Sequence, residues 1–476
     1  MAVNAGEHFH REGAKDAKKT PRGLVWLRLG CSVIRCIDLL DGKESAIKTR
    51  WLLAGLIVLG VTGLAAGGWF AVGWFRDVKS PIVVGILHSK TGAMAISESS
   101  MIDAEVLALK EINARGGLLG RKIEWVIADG ESDWPTYARK ARQLIRENKV
   151  SVIFGCWTSA SRKTTLPVIE QEDHMLIYPM AYEGLELSRN VIYTGAAPNQ
   201  QIIPAVKWSY DNLKARKFFL VGSDYIWPHS INEIIKDQLK ALKAELAGEE
   251  YIFFGSSRAK GVVEKIKKAK PDVILSAVVG DSNLAFYREL HDAGVLPERM
   301  PVISFSIAED ELRKLPPRDT VGHFSAWNYF QSLDRPENQA FVKAFKAEYG
   351  QDRVTTDVIA ASYNSVRLWA QAVEEAGTED IKPVRDAIRR QSFNAPEGVV
   401  SVDARTQHTW RPVYIGKARA DGQFDIVWSS QKPIRPVPYP MTRTKAAWDE
   451  YLSDLYRGWR NTWANPVDQT AAATTS

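Results

Sequence analysis

Phe154-Gly155-Cys156-Trp157-Thr158-Ser159-Ala160-Ser161-Arg162-Lys163 is followed shortly by Tyr178-Pro179-Met180-Ala181-Tyr182-Glu183-Gly184. The β-branched and aromatic run Val150–Phe154 reads as a buried strand, and the apolar period turns helical over Ser161–Gln171. Small hydroxyl residues lie between the two. In an open α/β sheet, the turn from a strand's carboxyl end into a helix is where ligands sit. This turn presents hydroxyls, free helix N–H groups and an indole, with no catalytic acid, base or metal ligand. Its composition suits holding a small polar molecule without transforming it.

The same alternation extends on both sides. Strands are expected at Ile82–Leu87, Ile123–Ala128 and Met175–Tyr178, with helices at Met101–Arg115 and Tyr137–Glu147. The rhythm restarts after Asn199. Strands Phe218–Gly222, Tyr251–Phe254, Val273–Ala277 and Val302–Ser304 are separated by helices Asn232–Leu246, Val262–Ala269 and Asn283–Ala293. Repeated β-α-β units imply parallel, doubly wound sheets with helices on both faces. Two of them in one chain have the architecture of a hinged clamp. Ala420-Asp421-Gly422-Gln423 stands between two strand-like runs and predicts a hairpin.

Gly155–Lys163 resembles the substrate-binding proteins of urea ABC transporters, within the leucine-binding (type I periplasmic binding protein) group. So do Ala196-Ala197-Pro198-Asn199-Gln200-Gln201-Ile202-Ile203-Pro204-Ala205, Val221-Gly222-Ser223-Asp224-Tyr225, Gly280-Asp281-Ser282-Asn283 and Ala326-Trp327-Asn328-Tyr329-Phe330-Gln331-Ser332. The likeness runs from about Pro81 to about Pro438. It implies an α/β fold of two doubly wound parallel-sheet lobes joined by a three-strand hinge, the type I periplasmic binding fold, and this chain adds one transmembrane helix before it. The hinge crossings then fall near Ala197–Gln200, His323–Trp327 and Pro396–Val402. Lobe 1 would comprise 81–199 and 326–397, lobe 2 would comprise 200–325 and 398–430, and 431–476 would be a C-terminal extension. Close relatives in that family take acetamide and other short amides. The second loop departs from the family pattern at Ala181, where a polar residue is common, which widens the expected ligand from urea to the class of small amides.

Such ligands are flat, neutral and tiny, and an unpaired polar group buried against them costs about 1–3 kcal/mol. The candidate ligand-binding residues are Ser89, Trp157, Thr158, Ser159, Tyr178 and Met180 from the first lobe, with Tyr225, Trp227 and Asp281 from the second. Lys90 and Thr91 follow the first strand beside Ser89. The helix after Ser159 offers N–H donors to a carbonyl, and an ionised Asp281 would accept from both NH₂ groups of urea. Each has a plainer reading: Trp157 as interlobe packing, Met180 as a space-filler, Asp281 as a helix cap and Cys156 as a small buried residue. No Gly-x-Ser-x-Gly, P-loop or His-Glu-x-x-His motif is present, and Gly116-Gly117-Leu118-Leu119-Gly120 ends a helix where a dinucleotide loop would begin one. Neither enzyme activity, nor a cofactor, nor a metal is expected. The partners are the small ligand and the permease and ATPase subunits of an importer. The alternative is a membrane-anchored sensor that reports amide or amino-acid binding to a cytoplasmic partner.

Residues 51–75 carry no charge and are rich in Leu, Val, Gly and Ala, enough to cross a bilayer. Lys43, Lys48 and Arg50 precede Trp51–Phe75, so the positive-inside rule puts residues 1–50 in the cytoplasm and the binding part outside, in the periplasm. A cleaved signal peptide competes with this reading, but fifty residues make a very long leading region. In Leu24–Leu40 a stripe of Arg28, Ser32 and Arg35 on an apolar helix suits the membrane face or a partner subunit equally. Met1–Pro21 and the tail after Val467 are polar and lack an apolar period. Of the net charge of +6, +4 lies in residues 1–50, which leaves no nucleic-acid footprint in the rest. We predict that the full-length protein stays with membranes through a high-salt wash. A mature N-terminus near Asp77, read by N-terminal sequencing, would contradict it.

Overall fold

Strand β1 (Ile82–His88) alternates Ile82, Val84 and Ile86 onto one face, where they join Phe154, Ile177, Ile192 and Trp369 in a buried core. Leu87 faces the other way, into a second core with Leu144, Ile153, Leu176 and Val191. This two-sided burial is what a parallel sheet between helix layers requires. The computed structural model describes residues 80–466, and they belong to one compact unit. The readings of 1–50, of Trp51–Phe75 and of the tail after Val467 fall outside the described residues. Among those described, no helix is long and apolar enough to cross a membrane.

The first sheet is parallel throughout, in the order β2-β1-β3-β4-β5, with β2 Ile123–Asp129, β3 Ile153–Gly155, β4 Leu176–Tyr178 and β5 Val191–Tyr193. Helices Ala95–Ala114 and Asp357–Ala376 cover one face, where Phe154 meets Trp369 edge-on at 5.7 Å. The second sheet runs β15-β14-β10-β9-β8-β6-β7. Its strands are β6 Lys217–Ser223, β7 Glu245–Ile252, β8 Val273–Ala277, β9 Val302–Ser304, β10 Phe324–Trp327, β14 Tyr414–Ala418 and β15 Phe424–Ser429. β7 to β10 are parallel, but β14 and β15 run antiparallel, because the Asp421-Gly422 turn folds them into a hairpin. The second sheet is therefore mixed, which corrects the wholly parallel expectation.

Two segment boundaries move. The helix after β6 is Ile226–Leu242, and it starts six residues earlier than the pattern predicts. Pro228 sits in its first turn, where a missing N–H breaks no helical bond. Lys243 in the left-handed region ends it and frees Glu245–Ile252 for β7. A third sheet was not anticipated: β11 (Ser392–Ala395), β12 (Gly398–Val402) and β13 (Thr409–Trp410). Val400 and Val402 pack with Trp369, Val384 and Ile388 in the first-lobe core, so 398–410 belongs with lobe 1 rather than lobe 2. Likewise β10 pairs with β9 through Ser325 and with β14 through Trp327, and the chain leaves lobe 2 at Asn328 rather than at 326.

The three crossings are bound together by two buried side chains. Asn328 Nδ2 donates to the carbonyls of Gln200 at 2.9 Å and Pro412 at 2.5 Å, one from each of the other crossings. Arg411, fully buried, donates to Asp357 at 3.0 Å, Glu397 at 2.9 Å and the Thr194 carbonyl at 3.2 Å. Arg411→Met would strand two buried carboxylates and should lower unfolding free energy by about 3–5 kcal/mol. Guanidinium titration of the full-length chain, followed by circular dichroism, measures it.

Candidate functional site

The turn that follows β3 is shaped by contact with β1. A Cβ on Gly155 would stand 2.2 Å from the Leu87 carbonyl oxygen, so only glycine lets the strands close here. Cys156 then takes φ +67, a left-handed conformation costly for a residue with a side chain, and its N–H donates to Leu87 O at 2.9 Å. Burial pushes its thiol pKa up to about 12, so it is a neutral packing group. This twist turns Trp157 toward the second lobe.

The hydroxyls of the turn are already engaged. Thr158 Oγ1 accepts from the Ser161 N–H at 3.0 Å and caps helix Ser159–Gln171. Ser159 Oγ donates to Glu183 and accepts from Arg162 at 3.2 Å. Arg162 is itself buried between Glu183 at 2.8 Å and Glu186 at 2.9 Å, under the rings of Tyr178 and Tyr182. Tyr178 donates its hydroxyl to the Trp157 carbonyl at 2.7 Å, and Met180 is a core residue behind Gly195. Ser89 bonds Tyr137 at 2.7 Å and takes the Ser132 N–H at 2.9 Å, while its own N–H reaches Glu98 at 2.7 Å. Of the first-lobe candidates, Trp157 alone keeps an unused polar atom: its Nε1 is buried with no hydrogen-bond partner.

In the second lobe, Tyr225 and Trp227 open helix Ile226–Leu242, with ring centroids 6.4 Å apart. Tyr225 packs edge-on against Phe254 at 5.6 Å, and Phe254 meets first-lobe Trp134 at 5.5 Å, so an aromatic chain crosses between the lobes. Trp227 Nε1 is also buried without a partner. Asp281 differs from expectation. It is exposed, it makes no capping bond, and it sits beside Gly280, whose Cβ position lies 2.7 Å from the Ala93 carbonyl of the first lobe. With Asp281 in a helical conformation its side chain does not cap the helix that follows.

The groups that meet between the lobes include several that sequence reasoning missed. Ser97 and Trp157 of the first lobe face Ser306, Ala308, Asp310, Glu311 and Trp327, with Thr356 and Val358 alongside. Ser97 Oγ donates to Glu311 at 2.7 Å across the gap. The space enclosed is about 10 Å³, close to the minimum for one water. Phe305-Ser306-Ile307-Ala308-Glu309-Asp310-Glu311 follows strand β9, and the strand-end rule already applied to β3 could have found it. Among the described residues no group of three or more His, Cys, Asp or Glu side chains is arranged to hold a metal ion.

Buried carboxyls dominate this edge of the second lobe. Burial raises Glu309 to about 8, although the Gln331 N–H donates to it at 2.7 Å, and burial raises Glu311 to about 7. A carboxyl held protonated in the fold but ionised in the unfolded chain makes stability fall with pH between its unfolded and folded pKa values. Thermal melting of the full-length chain should therefore decline from about pH 5 to pH 8. Glu309→Gln should flatten that decline, and an unchanged slope would show that Glu309 does not titrate there.

A periplasmic binding protein domain model matches residues 82–445. The leucine-, isoleucine-, valine-, threonine- and alanine-binding protein of Pseudomonas aeruginosa is 23% identical over 327 residues, 68% of this chain and 86% of that protein. A solute-binding protein of an ABC transporter from R. palustris, solved with 4-hydroxybenzoate, superposes with a TM-score of 0.68 at 21% identity, covering 75% of this chain and 98% of that one. A branched-chain amino acid transporter substrate-binding protein from Streptococcus pneumoniae, solved with isoleucine, gives 0.65 at 20% identity over 75% and 100%. A limonene hydroxylase of Geobacillus stearothermophilus is 42% identical over 124 residues; the match spans 26% of this chain and only 22% of the length of that protein.

Proposed function

The chain belongs to the periplasmic binding protein domain family, and from that premise we propose that it is an extracytoplasmic solute-binding protein for urea or a short-chain amide. It captures the ligand between its lobes and delivers it to the permease and ATPase subunits of an ABC importer. Trp51–Phe75 would tether it to the membrane.

One observation carries the ligand class. The residues lining the interlobe pocket include Asp310 and Glu311, three hydroxyls and two indoles, and among these described residues there is no Lys or Arg. An amide presents N–H donors to carboxyl oxygens and a carbonyl to the free Trp157 Nε1–H. A carboxylate ligand, such as an amino acid or a benzoate, finds no Lys or Arg among these residues to pair with its charge. The narrowness of the space favours a ligand of few atoms. Ligand that touches both lobes binds the closed form better, and this differential affinity drives closure.

Isothermal titration and thermal shift on the full-length chain, with urea, acetamide and formamide beside leucine and 4-hydroxybenzoate, test the proposal. Stabilisation by leucine or 4-hydroxybenzoate but by none of the amides would sink it. Trp157→Phe keeps the ring and removes the N–H, and it should weaken amide binding about tenfold, or about 1.4 kcal/mol.

A further inference from the structure

The C-terminal extension is a long segment that ligand binding leaves without a task. It begins on the hinge, where Gln200 Nε2 donates to the Ile434 carbonyl at 2.8 Å and Asn199 engages Arg435 and Val437. It next touches the first lobe: the Leu185 N–H donates to the Pro438 carbonyl at 2.9 Å, and a Cβ on Gly184 would stand 2.0 Å from that oxygen. Helix Lys445–Gly458 then docks on second-lobe helix Ile226–Leu242. Arg443 pairs with Glu233 at 2.6 Å and Asp237 at 2.7 Å, and the Tyr451 hydroxyl donates to the His229 carbonyl at 2.9 Å.

The last described residues return to the wall of the cleft. The Trp463 carbonyl accepts from the Ile226 N–H at 3.0 Å, Ala464 forms an antiparallel bridge with Tyr225, and Asn465 bonds Asp224. The turn that carries Tyr225 and Trp227 therefore has its main chain fixed from outside by the extension. The Trp463 ring, tilted against Tyr456 with centroids 4.4 Å apart, also lies under first-lobe Lys163, whose Nζ is 5.0 Å from the ring centroid. Lys163 stands on the helix that opens directly after Trp157 and is held by Glu186 at 3.2 Å. One residue thus touches the strand-to-helix turn of the second lobe and the helix that follows the corresponding turn of the first.

We propose that the extension is an interlobe strap and that Trp463 is its latch, a positioning residue that holds the Asp224–Trp227 turn against the first-lobe helix and slows reopening of the clamp. The two ends of the strap are unequal. Charged pairs and buried Trp448 anchor it to the second lobe, whereas past the hinge segment its first-lobe hold includes the Pro438 main-chain bond and the Lys163–ring contact. When the lobes rotate apart, the strap travels with the second lobe and the weaker end lets go. This inference rests on the two-lobe closure of the proposed function but not on which ligand is bound.

Hydrogen exchange read by mass spectrometry on the full-length chain in detergent, with no ligand added, tests it. Trp463→Ala should speed exchange about tenfold in peptides covering 93–98 and 305–312, which meet across the gap through Ser97 and Glu311, remote in sequence from the strap. Protection of helix Asp357–Ala376 should not change, and Trp463→Phe should restore most of the effect. Faster exchange confined to 445–466 and 224–227 would overturn the latch and leave Trp463 a local packing residue. If Trp463→Ala also loosens 357–376, Trp463→Leu, which keeps bulk without a ring, carries the same comparison. A failed amide titration with the expected exchange pattern would reject the ligand class and retain the strap.

Discussion

Asn328 donates through one amide nitrogen to carbonyls on both of the other crossings, and the rest of the structure depends on that junction. Its main-chain N–H donates to Asp357 at 3.1 Å, and Asp357 in turn holds Arg411. These groups are fully buried, so water cannot replace a lost partner and each bond is worth more than on the surface. The junction fixes the three crossing segments to each other. Without it, the pairing of Trp157 with the β9 loop would have no fixed geometry.

The turn after β3 shows how one wall of the interlobe space is stiffened by residues that do not line it. Thr158, Ser159, Ser161 and Arg162 are spent on capping and on the Arg162–Glu183–Glu186 ion cluster. That cluster is buried and fully paired, which is the condition under which buried charge is tolerated. Its effect is to immobilise the turn and the two tyrosines stacked on Arg162. Trp157 projects from this rigid base with a free indole N–H. The acceptors come from the other lobe, on a loop whose carboxyls are raised toward neutrality by burial.

Much of this was legible in the chain itself. Val273–Ala277 and Val302–Ser304 have the strand bounds that their β-branched runs predict, because burial on both faces leaves a continuous apolar signal; Phe424–Ser429 has its predicted bounds too, although as an edge strand it buries little beyond Phe424. The Asp421-Gly422 turn announced its hairpin. The strand-end rule singled out Trp157, whose indole lines the interlobe space, and the crossing expected at His323–Trp327 lies just before Asn328. These features are local: a period of apolar residues or a turn residue with special φ is fixed within a few neighbours.

What only the tertiary structure decided is where each polar group finds its partner. Nothing near Ser159 in sequence announces Glu183 as its acceptor, and nothing near Asp281 tells that it is exposed and leaves the following helix without a side-chain cap. The same holds for Ser97 and Glu311, which lie more than two hundred positions apart and meet only because the lobes close. The 398–410 segment went to the first lobe because Val400 and Val402 complete a core around Trp369, a fact of three-dimensional packing with no sequence signature. Periodicity reports which face is buried; it cannot report against what. Hydrogen bonds and ion pairs in a buried cleft are satisfied by whichever group the fold brings within about 3 Å, and that choice belongs to the fold.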